Sequence, residues 1–180
     1  MPNNQVFVDP SLFNPINLFV IMLVDGRQSI PAWAIKWDTG GNYNHTATIR
    51  KAGLVDSQDM FFHEVSLNKY MVSGNMLKFW VIKDLTIDEW NIINTAIQND
   101  INLPPWKRFY NYLGIVGQFL RLPWISFPGT YFCSERVSKY LRLIPRLDSI
   151  LPENVSPAFD DTVFVNHPEL MICLGYWWQD

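Results

Sequence analysis

The sequence predicts an α+β fold in a single domain spanning residues 1–180, and three observations carry that reading. Strand-like segments fill the first half, helix-like segments follow, and one short strand-like segment comes last, which is not the alternation of a parallel sheet. The helical part opens on a capping signature, Thr86-Ile87-Asp88-Glu89. Of the 180 residues 48% are hydrophobic and only 17% charged, enough apolar material for one core.

The elements follow in order. Leu18 to Val24 is a seven-residue apolar run ended by the turn pair Asp25-Gly26, the pattern of a buried strand. Ile30 to Trp37 is mixed and apolar, and Asp38 to Asn42 is a loop. Asn44 to Arg50 alternates and carries Thr46, Thr48 and Ile49, which suits a strand. Met60 to Ser66 and Leu77 to Ile82 are two more, the second with Leu77, Phe79 and Val81 on one face. Thr86 then caps a helix to about Asp100, with Trp90, Ile93 and Ile97 along one side. Phe109 to Leu122 reads as a second helix, weakened by Gly114 and Gly117. Cys133 to Leu143 is a third, with Val137, Tyr140, Leu141 and Ile144 at helical spacing. Asp161 to Val165 reads as the last short strand.

Charge and composition exclude several function classes. The net charge is -3 and the basic residues are scattered, so no electrostatic footprint for nucleic acid exists. The longest apolar run falls far short of the ~20 residues of a membrane-spanning helix. The start, Met1 to Gln5, carries no secretory pattern, so the expected location is the cytoplasm or a phage or virus particle. Aromatics are 15% of the chain, which fits a ring-lined groove or contact surface for a protein partner as well as an aromatic core. The two cysteines, Cys133 and Cys173, form no zinc-type spacing, and one bridge between them is left open. Cys173, in an apolar run, reads as core, and Trp177-Trp178 as either a partner anchor or a pair packed back onto the domain. No metal or cofactor is called for.

The chemistry concentrates at Thr130 to Glu135. Here a Pro/Gly-rich loop ends and a helix begins on Cys133. Backbone N–H groups and the positive end of the helix dipole favour thiolate at such a position. The N–H groups of Cys133 and Ser134 are also placed to bind the oxygen of a carbonyl under attack. A thiolate nucleophile needs an imidazole, and the imidazole a third group to hold it. His45 opens one predicted strand, and His63 and Glu64 sit in the next. Alternation sends His63 and Glu64 to opposite faces. If His45 and Glu64 share a face, the carboxylate orients the ring. His63 and His167 read as surface or loop residues, and Tyr43 and Tyr131 flank the site in sequence.

Three features together resemble a known family: the histidine in Asn44-His45-Thr46-Ala47-Thr48-Ile49, the glutamate in the following strand, and the late Phe132-Cys133-Ser134-Glu135 that opens a helix. They are similar to the circularly permuted papain-like amidases, YiiX/YaeF-like relatives of the NlpC-type peptidases and of lecithin:retinol acyltransferase. In the permuted branch the order is histidine, acid, cysteine. The resemblance spans about residues 18–165. It implies a permuted papain-like fold, an antiparallel sheet packed against helices, with Cys133 as nucleophile, His45 as base and Glu64 as its orienter. The sequence departs from the family ahead of the cysteine helix, where Pro104-Pro105-Trp106 stands in place of a glycine- and tyrosine-containing segment.

The function expected is hydrolysis of a peptide, cell-wall or lipid amide, or an ester, through an acyl-enzyme. Two other classes remain: a transferase acting on a lipid acyl chain, and a non-catalytic scaffold such as a virion component, since fold alone does not settle activity.

Overall fold

The seven-residue apolar run has the composition of a strand buried on both faces. A computed structural model places it as β1, Val20–Asp25, in the middle of a sheet. The structure describes residues 8–9, 19–26, 41–111, 131–151 and 156–179, and for 157–159 the backbone only. The other strands are β2 (His45–Lys51), β3 (Leu54–Gln58), β4 (Phe62–Ser66), β5 (Met76–Ile82) and β6 (Met171–Trp178). The helices are α1 (Ile87–Ile101), α2 (Cys133–Leu141), the short α3 (Pro145–Asp148) and α4 (Pro157–Asn166). The described strands form one antiparallel sheet in the order β4-β3-β2-β1-β5-β6. The α+β reading therefore holds.

Alternation divides the sheet into two apolar faces. Ile21 and Leu23 of β1, with Trp80 and Ile82 of β5, meet Ile93 and Ile97 of α1 and Val137, Tyr140 and Leu141 of α2. Val20, Met22 and Val24, with Leu77, Phe79 and Val81, form a second cluster on the opposite face, joined by Leu67, Tyr70 and Trp177. The expected sharing of a face by Leu77, Phe79 and Val81 is thus seen, as is the burial of Ile93 and Ile97.

The capping box is present in full. Glu89 N–H donates to Thr86 Oγ1 at 3.2 Å and Thr86 N–H to Glu89 Oε2 at 2.9 Å. Arg146 grips the same carboxylate through Nε and Nη2, at 3.0 and 2.9 Å. These bonds, the Arg146 pair first, hold Glu89 down at about 2. Thr86→Ala is expected to cost about 1 kcal/mol in a urea melt, as for other cap losses.

Several sequence-based expectations are corrected. Asp161–Val165 is helix, not strand: it lies inside α4, which Pro157 opens and whose first turn includes Asp160. Proline suits a first helical position, and this start signal outweighs the β-branched Thr162, Val163 and Val165. The closing strand is instead β6, around Cys173, which is exposed and not core. A bulge opposite Phe79 and Trp80 puts Gly175 at φ +137°, a conformation that glycine tolerates, and shifts the side-chain phase that a simple alternation would read. Trp177 packs back into the sheet. Both cysteines are free. Phe109 and Tyr110 do not begin a helix; they bridge to Phe61 and Tyr131. The remainder of that expected helix, 112–122, lies outside the described residues, as do Ile30 to Trp37 and most of the loop at 38–42.

Strand β3 was not expected, because its sequence hides its burial. Asp56, Ser57 and Gln58 are polar yet buried. Asp56 is satisfied by Arg50, whose Nε and Nη2 donate at 2.6 and 2.8 Å, and by Thr48 Oγ1 at 3.3 Å. A strand that buries ion pairs and hydroxyls gives no alternating apolar pattern.

Candidate active site

Each functional group is placed by a short piece of secondary structure. Asn44 accepts from Gly26 N–H at 3.3 Å and donates to Gly26 O, pinning the end of β1 to the start of β2. His45, the next residue, is thereby fixed at the first position of β2. On the other side Phe132 N–H donates to Glu135 Oε2 at 2.8 Å, closing the first turn of α2 just ahead of Cys133. Further along α2, Arg136 lies over the rings of Phe62 and Tyr131 at 4.7 and 4.8 Å and donates to Asp100 at 2.9 Å. Lys139 and Tyr140 donate to the same Asp100 oxygen, each at 2.8 Å, so three donors tie α2 to the end of α1.

Cys133 is 1% exposed. Burial pushes its thiol up to about 11, and the Asp160 carboxyl adds to the rise. Three donors at the sulfur act in the opposite sense: the Thr46 N–H, the Ser134 N–H and the Tyr110 hydroxyl. Thr46 directly follows His45 in β2, so the sulfur lies against the main chain of that strand, while the His45 ring itself meets Ser57 and Tyr70. Tyr110 is the phenol at the sulfur. Neither Tyr43 nor Tyr131 holds that place: Tyr43 faces the Asp161, Tyr176 and Cys173 cluster, and Tyr131 packs on Arg136.

His45 is half-buried, and its ring stacks on Tyr70 with centroids 5.6 Å apart. Its Nε2 lies 3.0 Å from Ser57 Oγ and 3.3 Å from the Tyr70 hydroxyl. Both hydroxyls converge on Asp59 Oδ1, Ser57 at 3.0 Å and Tyr70 at 3.1 Å. Burial works against the Asp59 charge, but its bonds to Lys69 and Ser57 and the nearby His45 outweigh this and keep the carboxyl below its usual value. Burial pushes His45 down to about 4, Lys69 adds to the fall and Asp59 opposes it. At neutral pH the site therefore holds a neutral imidazole and a protonated thiol.

The expected partnership of Glu64 with His45 is corrected. Glu64 bonds Lys51 and lies 3.6 Å from Arg50 Nη2. The register shows why. Glu64 pairs with Asp56, and Asp56 with Thr48, so these three share a face. His45 is three residues from Thr48 and points to the other face, where Ser57 meets it. The link from His45 to a carboxylate runs through Ser57 and Tyr70 to Asp59. Sequence reading missed these three because Ser57 sits in the unrecognised β3, Asp59 just past it, and Tyr70 after the 3-10 turn Leu67–Lys69. His63 Nδ1–H donates to the main-chain oxygen of Phe61 at 2.7 Å, and His167 pairs with Glu169 at 2.9 Å.

The depressed His45 has a consequence for stability. The unfolded chain takes up a proton on His45 from about pH 6.5 downward, whereas the folded chain does so only near pH 4. This contribution to stability is complete above pH 6.5 and is lost as pH falls to 4. Denaturant melts are expected to show the wild type losing about 3 kcal/mol more than His45→Gln across that window.

No group of three or more metal-ligating side chains is gathered among the described residues, and no helix among them is long and apolar enough to cross a membrane. No family model matches the sequence, and a search of curated proteins returns no match.

Proposed function

We propose that the protein is a cysteine hydrolase of amide or ester bonds, with Cys133 as nucleophile and His45 as base, built on a permuted papain-like fold. The observation that carries this reading is the convergence at Cys133. Its sulfur begins a helix, meets the N–H groups of Thr46 and Ser134 and the Tyr110 hydroxyl, and lies beside the strand that opens on His45. Asp59, acting through Ser57 and Tyr70, takes the orienting role for His45. The α+β layout, with the cysteine helix against the histidine strand and histidine ahead of cysteine in the chain, also supports it.

In this reading the thiol proton passes to His45 as sulfur attacks the acyl carbon. The oxyanion takes hydrogen bonds from main-chain N–H groups at the start of α2 and from Tyr110. Collapse expels the amine or alcohol with the proton from His45, leaving a thioester on Cys133. Water then attacks, His45 takes its proton, and the acid leaves as the thiol re-forms. The neutral resting pair fits general-base attack and not a preformed ion pair.

A non-catalytic scaffold is the second reading, and the near-complete burial of Cys133 favours it. One experiment separates the two. The protein is mixed with p-nitrophenyl esters and aryl amides of short and long acyl chains, and intact mass is followed. A hydrolase shows an acyl adduct on Cys133 that decays with release of acid. A scaffold shows none. Added amine that captures the acyl group marks a transferase.

A further inference from the structure

We propose that Asp160 is a positioning residue for Cys133: from the first turn of α4 its carboxyl holds Thr46, and through Thr46 it holds the main-chain N–H that meets the Cys133 sulfur. The inference rests on the reading of Cys133 as the reactive thiol. It names a group that belongs to neither the His45 network nor the start of α2.

Asp160 is 0% exposed. Thr46 Oγ1 donates to Asp160 Oδ2 at 3.1 Å. The other carboxyl oxygen, Oδ1, has no hydrogen-bond partner among the described residues. Ser138 of α2 lies alongside without closing a direct bond of its own. An isolated carboxylate in such a place is costly, and burial, the leading cause, pushes the Asp160 carboxyl well above its usual value. Asp161 adds a like charge from the same helix, although Lys78 of β5 pairs with it at 2.6 Å. The remaining titratable group facing Asp160 is Cys133, whose thiol an ionised Asp160 pushes up.

The Asp160–Thr46 bond and a charge on Asp160 act on the thiol in opposite senses. Thr46 N–H favours the thiolate, so losing the Asp160–Thr46 bond disfavours it. An ionised Asp160 would disfavour the thiolate as well. A neutral carboxyl at 160 holds the N–H in place without opposing the sulfur's charge. An acid that served packing alone would produce neither effect.

The test scores thiol reactivity without substrate, in full-length protein carrying Cys173→Ser. The rate of Cys133 modification by methyl methanethiosulfonate is followed by intact mass from pH 7 to pH 10. Asp160→Asn keeps an acceptor for Thr46 and is expected to stay within about twofold of wild type, whereas Asp160→Ala removes the acceptor and is expected to lower the rate about tenfold. Thr46→Val removes the hydroxyl and is expected to lower the rate about tenfold, while Thr46→Ser restores it to within about twofold. A rate within about twofold of wild type for either Asp160→Ala or Thr46→Val overturns the proposal, as does a rate in Asp160→Asn as low as that of Asp160→Ala. If Thr46→Val does not fold, the contrast between Asp160→Ala and Asp160→Asn decides. Because no acyl substrate is used, failure here leaves the acyl-adduct result standing, and a missing acyl adduct leaves this result standing.

Discussion

Cys133→Ala is expected to abolish the acyl adduct and to lower turnover at least about a thousandfold, with the fold retained. Sulfur is the atom that bonds the acyl carbon, and Cys173 does not share its setting, since it is exposed on the edge strand β6. Cys173→Ser should therefore turn over substrate at the wild-type rate. His45→Ala is expected to cost about a hundredfold or more, the usual scale of a general base. The third role separates the two carboxylates. Asp59→Asn weakens the Ser57 and Tyr70 bonds that hold the ring, and turnover should fall about tenfold. Glu64→Gln touches only Lys51 and Arg50 and should leave turnover within about twofold. Turnover that survived in Cys133→Ala would exclude this chemistry, and a large loss in Glu64→Gln would return the orienting role to Glu64.

Asp56→Ala is expected to destabilise the protein by about 3 kcal/mol in a urea melt. It leaves the buried Arg50 guanidinium without its two-point partner, and the side chains of both are almost wholly inaccessible. The loss sits at the lower end of the range for broken buried pairs because Asn94 Oδ1 still accepts from Arg50 and Glu64 stays 3.6 Å away. The paired change Arg50→Met with Asp56→Leu removes both charges and should recover most of the stability. A double variant weaker than Asp56→Ala would show that the pair itself, and not the orphaned charge, carries the effect.

Local signals determined much of this protein without any tertiary information. The apolar run at Leu18, the alternation from Asn44 and the Thr86–Glu89 box each report a single element, and each stands in the structure as β1, β2 and the start of α1. The position of Cys133 at a helix start was equally legible, because a helix boundary is written in adjacent residues. The strand reading of Asp161 to Val165 failed where two local signals competed, β-branched residues against a proline start, and the helix won. What only the tertiary structure decided is which face each strand residue takes and what lies across it. Strand β3 buries Asp56 and Ser57 instead of valines, so no hydrophobic period marks it, and its register places Ser57, not Glu64, beside His45. Asp59, Tyr70, Tyr110 and Asp160 reach the site from four separate stretches of chain. Their meeting depends on strand order and register, which are set by long-range pairing and leave no mark at short sequence separation.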